Sequence, residues 1–161
     1  MNINNTVHSL FEDGLIGIGL NPTSAQSKMS SATNLIDLLH DGFYIVFLLK
    51  QQYIPSNVDE FRDKILNLLN HFENQARKLQ FSADDIHDAK YAYCALLDET
   101  IVTQQSAQFF DLQNNWMISP LQLSLFGSQL AGYRFFESLE FLRSQGKDRL
   151  AALEVFHYCM L

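Results

Sequence analysis

Apolar residues recur every three to four positions through most of this chain, and that period admits helices and little else. Leu35, Leu38, Leu39, Gly42, Phe43, Val46 and Leu49 fall on one face of a helix that should run from a Ser30-Ser31 cap to about Gln51. Pro55 breaks the chain. Asn57, with Glu60 three residues on, then marks the start of a second helix, about 57–80. Its stripe is Phe61, Ile65, Leu68, Phe72, Ala76 and Leu79. Ser82 followed by Asp84 and Asp85 opens a third, about 83–104, with acids where the helix dipole favours them. Ile86, Ala89, Tyr93, Leu96, Thr100 and Ile101 form its core face.

The remainder reads in shorter pieces. Thr103–Asn115 is looser, with room for a short helix. Ser119-Pro120 looks like a cap followed by proline at the first helical position, opening a helix over Leu121–Phe126. Another should run from about Gln129 to Ser144 and stop at Gly146, and the last begins near Asp148. No stretch alternates with period two between turn signals. The fold class is therefore all-α, with about six to eight helices, one sub-bundle over 30–104 and a smaller one over 105–161. Residues 1–29, rich in Asn, Ser and Gly, read as a flexible arm whose apolar run Leu15–Ile18 could dock on the body. The chain ends on the apolar run Val155–Leu161 without cap or polar tail, which predicts that the natural protein continues.

Charge excludes one class of partner. The net charge is −7, and residues 81–115 carry six acids against the single base Lys90. Nucleic acid binding needs clustered Lys and Arg, and no such cluster exists in the sequence. An acidic stretch suits a basic protein partner instead. Cys94 and Cys159, far apart and within apolar runs, read as reduced core thiols.

Catalytic signatures are missing. The sequence has no glycine-rich phosphate loop, nucleophile elbow or His-Glu-x-x-His. Asp37/His40, Asp84/His87 and Glu154/His157 each set an acid and an imidazole one turn apart. A di-metal bundle needs two Glu-type pairs and two further Glu. One pair here is of that type, so no metal, cofactor or catalytic residue is assigned. Adjacent Asp98 and Glu99 diverge on a helix and cannot flank one substrate bond.

Those two acids carry the most information. At 100° per residue they lie opposite the core stripe, where Tyr91, Ala95, Asp98 and Val102 stack. Two arrangements satisfy this pattern. Asp98, Glu99, Tyr91 and Val102 could line a partner-binding groove with an apolar floor and acids at its lip. Alternatively, one acid caps a neighbouring helix or pairs with a base such as Arg134. Trp116, the only tryptophan, reads as a core anchor, and the doublets Phe109-Phe110 and Phe135-Phe136 read as core residues of which one member each can face outward.

The run Tyr91-Ala-Tyr-Cys-Ala-Leu-Leu-Asp-Glu-Thr100 resembles the Y-A-x-C-A-x-x-D-E signature of the DotU/TssL (IcmH) family. Trp116, Pro120-Leu121, Leu125-Phe126-Gly127, Ala131-Gly132-x-Arg134-Phe135-Phe136-Glu137 and Leu153–Cys159 follow in that family's order and spacing. The similarity covers roughly residues 30–161. Two positions depart from it: Tyr133 stands where the family usually has Glu, and His157 where it usually has an aromatic or aliphatic residue. The resemblance implies a hook-like body of two helical bundles on the cytoplasmic face of the bacterial inner membrane, held by a C-terminal membrane helix not present in this chain. It implies structural roles for Trp116, Gly132, Phe135, Phe136 and Cys94. It also implies a scaffold in type VI (or type IVB) secretion. The partners it implies are an IcmF/TssM-like inner-membrane protein, cytoplasmic baseplate proteins and a second copy of the chain. The rival readings are a metal-binding bundle enzyme and a soluble helical adaptor unrelated to secretion.

Overall fold

The structure, a computed structural model, describes residues 34–128 and 131–161, without the side chains of Ala131 and Gly132. The arm 1–29, its apolar run and the Ser30-Ser31 cap lie outside the described residues, as does the packing of Gly132.

All regular structure among the described residues is helical. Asn34, rather than a serine, caps the first turn α1 (Leu35–Leu38), its Oδ1 accepting from the Asp37 amide at 2.8 Å. A break at Leu39 leads into α2 (His40–Lys50). This helix is apolar nearly all round. It buries Phe43, Ile45, Val46, Leu48 and Leu49 while leaving the stacked rings of Tyr44 and Phe47 outside. Asn57 caps α3 (Val58–Lys78) through the amides of Asp59 and Glu60. Phe61, Ile65, Leu69, Phe72 and Ala76 are its buried face. Leu69 takes the place expected of Leu68, which is half-buried, and Leu79 is exposed.

Ser82 caps α4 (Ala83–Val102) by accepting from the Asp85 amide. A 3-10 turn at Ala107–Phe109 then leads into α5 (Phe110–Ile118). Helix α6 (Leu121–Phe126) ends at Gly127, whose φ of +68° is a left-handed cap that glycine adopts without steric cost. Helices α7 (Ala131–Gln145) and α8 (Leu150–Cys159) are joined through Gly146 and a 3-10 turn to Arg149.

Helix α4 organises the rest. Helices α2, α3, α5, α6, α7 and α8 all pack on it, α8 most extensively, and α8 also reaches back to α1. Helices from both sides of residue 104 therefore share α4 and one continuous core. A helix enclosed on most sides cannot keep a polar face without partners. Twelve of its residues are buried, Asp85 and Asp98 among them.

Three cross-links fix its register. The Tyr93 hydroxyl donates to the Gly42 carbonyl at 3.1 Å, and a Cβ at residue 42 would meet the Tyr93 ring at 2.8 Å, so only glycine lets α2 approach this closely. Lys90 Nζ meets Glu73 of α3 at 2.6 Å. Arg149, at the start of α8, bridges Asp85 at 2.7 Å and Asp88 at 2.6 Å. Burial works against the Arg149 charge. Hydrogen bonds to the two carboxylates outweigh it and hold the guanidinium above its ordinary pKa.

Candidate functional site

The structure divides the face of Tyr91, Asp98, Glu99 and Val102 among four surroundings. Asp98 is 6% exposed. Its Oδ1 accepts from Trp116 Nε1 at 2.7 Å and from the Leu121 amide at 3.0 Å, and its Oδ2 accepts from the Gln122 amide at 2.9 Å. Asp98 is thus the N-terminal cap of α6, delivered from a different helix. Placing Asp98 at an open groove lip is corrected by this geometry: every donor it faces is internal. The cap expected of Ser119 is likewise corrected, since no side chain of the Ser119-Pro120 pair bonds the helix start.

Burial raises the Asp98 pKa, opposed by the Gln122 amide, the Trp116 indole, the Leu121 amide and the Arg62 charge. The cation beside Asp98 is therefore Arg62, not Arg134. The Arg62 guanidinium lies 4.2 Å from the Trp116 ring centroid, and its Nη1 donates to the Ser119 carbonyl at 2.7 Å. One turn earlier on α5, Gln113 Nε2 donates to the carbonyls of Ile101, Val102 and Gln104, closing the C-terminal end of α4. Helix α5 is thereby pinned to α4 at two points by Gln113 and Trp116. Neither Arg62 nor Gln113 stands out in the sequence, because their partners are backbone groups or lie far along the chain.

Tyr91 is buried, with its ring edge-on to Phe126 of α6 at 5.3 Å. Burial raises its hydroxyl pKa, opposed by the Arg134 charge. Val102, 41% exposed, sits at the outer end of α4. Cys94 is fully buried, and Trp116 is the largest enclosed side chain. Phe135 packs inward against Phe156 at 4.8 Å between centroids, whereas Phe136 is 61% exposed, so the doublet splits between core and surface. The acid–histidine pairs do not converge. His40 and His87 each lie beside the next residue, Asp41 and Asp88, and no group of three or more metal-binding side chains forms among the described residues.

Two of the four border open concavities: Tyr91 lines a polar one with Asp88, Arg134 and Glu137, and Glu99 a mainly apolar one. A hollow of about 500 Å³ lies between α4, α7 and α8, with Ala95 and Leu96 on one wall, Phe135 and Phe136 on another, and Cys159 and Met160 on the third. Glu99 supplies its one carboxylate. A mainly apolar depression of this size, lined by helices, suits an inserted side chain or helix face.

The sequence model of the type VI secretion system protein DotU matches residues 34–161. The chain belongs to the DotU family. This DotU-family chain is also similar to the cytoplasmic domain of TssL from Acinetobacter baumannii, at 76% identity over 80% of each chain with a TM-score of 0.78. Among curated proteins none matches. Family membership makes the DotU-family chain a component of type VI secretion. Among the described residues, no helix is long and apolar enough to cross a membrane.

Proposed function

We propose that this protein is a scaffold subunit of a type VI secretion membrane complex, which works by contact and not by catalysis. In this reading it sits at the bacterial inner membrane with its helical body on the cytoplasmic side. It is tethered by an anchor beyond Leu161, beside an IcmF/TssM-like protein, and joins cytoplasmic baseplate components to the membrane. Self-association into a dimer is compatible with the same arrangement.

The observation that supports this reading is the open apolar hollow of α4, α7 and α8, set on a body stiffened by the Asp98–Trp116 and Arg149–Asp85 cross-links. A rigid concave surface with an apolar floor recognises a protein segment without needing a reactive group. The test is purification of the full-length gene product from membranes after mild crosslinking. Recovery of a large inner-membrane partner together with baseplate proteins is the expected result. A soluble full-length product that copurifies with neither would overturn the reading.

A further inference from the structure

The hollow's chemistry narrows what fills it. Its lining side chains are apolar, apart from that of Glu99, for whose carboxylate no hydrogen bond or ion pair forms among the described residues. Asp98, its neighbour in sequence, contributes nothing here, because both its oxygens are engaged with α5 and α6. The recognition charge is therefore one carboxylate and not an acidic patch. The Phe136 ring lines the same hollow, held edge-on to Phe135 at 5.6 Å between centroids while Phe135 packs inward on Phe156. An aromatic ring and an unpaired carboxylate lining one hollow suit a cationic group, above all a guanidinium, which can stack on a ring and bond a carboxylate. The protein's net charge of −7 adds a long-range bias toward a basic segment.

We infer that the occupant is an amphipathic helix of a partner protein. It lays two apolar side chains, at i and i+4, between α7 and α8 and sets an Arg or Lys against Glu99 and Phe136. This rests on the docking role proposed above and specifies its chemistry. Helix-in-groove recognition uses apolar anchors at this spacing, and the hollow holds more than one side chain.

The probe is a displayed library of helical peptides, selected against the whole 161-residue chain. Enriched peptides should share two large apolar residues at i and i+4 and one Arg or Lys. A synthetic consensus peptide, followed by fluorescence anisotropy, should bind about fivefold more weakly to E99Q, the loss of one partly screened ion pair. E99R should bind weaker still, and a peptide with Glu in place of its Arg should recover binding to E99R. F136A should weaken an Arg peptide more than its Lys counterpart. Unchanged melting of E99Q and E99R separates these effects from misfolding. Selection of peptides without a cation, or indifference of binding to both Glu99 and Phe136, would overturn the inference. So would a concentration-dependent self-association abolished by E99R, since the occupant would then be a second copy. Continued copurification of the full-length protein with secretion components in the face of such a result would leave the scaffold reading standing and remove only this one.

Discussion

Trp116 Nε1 donates to Asp98 Oδ1 across 2.7 Å, and this single bond joins two helices through residues 18 positions apart in sequence. The same carboxylate receives the first two amides of α6. One side chain thus ends the path of α5, begins α6 and faces the Arg62 charge of α3. Asp98→Ala strips partners from a buried indole and two helix-end amides at once. The expected cost is about 3 kcal/mol, the sum of a lost cap and stranded buried donors. Urea unfolding followed by Trp116 fluorescence should show it, with a red-shifted native spectrum. A cost below about 0.5 kcal/mol, the scale of ordinary surface changes, would mean the carboxylate is not the rivet described.

Gly42 is fixed by proximity, not by backbone angle. Gly42→Ala drives a methyl to 2.8 Å from ring carbons of fully buried Tyr93. Overpacking of this kind costs about 2 kcal/mol. Trimming the ring in a Gly42→Ala/Tyr93→Leu double variant should recover part of the Gly42→Ala cost. Strict additivity in that cycle would show that the two residues do not compete for space.

Gln80 occupies the left-handed region, with φ +63°, just past the end of α3, where the Phe81 amide bonds the Ala76 carbonyl. A side chain there carries a steric cost that glycine lacks. Gln80→Gly should stabilise the fold by roughly 0.5–1 kcal/mol, read as a raised thermal midpoint. A lowered midpoint would show that the Gln80 side chain matters more than its backbone strain.

Arg149 neutralises Asp85 and Asp88 at the junction of α8 with α4. Arg149→Met keeps the stem and leaves two acids facing each other in a sheltered place. The expected loss is about 2 kcal/mol, and Asp85→Asn added to it should restore part of that loss. Amide hydrogen exchange should localise the weakening to α8.

Burial pushes the Cys159 thiol up to about 12 and Cys94 higher, and holds the Tyr93 hydroxyl well above its ordinary value. All three bind their protons more tightly in the folded state. Their contribution to stability is complete below the unfolded pKa values, near 9.0 for the thiols and 10.0 for the phenol, and is lost as pH rises through the folded ones. The urea midpoint should therefore fall from about pH 9 upward. A Cys94→Ala/Cys159→Ala variant should fall less steeply. At neutral pH a thiol-specific reagent should modify the unfolded chain quickly and the native chain slowly. Rapid native labelling of Cys94 would contradict its burial.

The fold class and most helix starts were legible because they depend on neighbours in sequence. Asn57 and Ser82 cap the helices they precede, and the apolar period of Phe61 to Ala76 marks the buried face of α3. The site was less legible. The sequence placed Asp98, Glu99, Tyr91 and Val102 on one side of a helix, which is where they are, but 100° spacing says nothing of what lies opposite each one. Asp98 met α5 and α6 and became a cap, Tyr91 met Phe126, and Glu99 met open space.

The chain's own order of residues thus determined an all-helical body, its acidic middle and its likeness to DotU proteins, since each follows from local period, charge and motif. Only the tertiary structure decided which acid is spent on holding the helices together and which faces the hollow. A carboxylate's role is set by the donors that surround it, and for Asp98 those come from residues 116, 121 and 122.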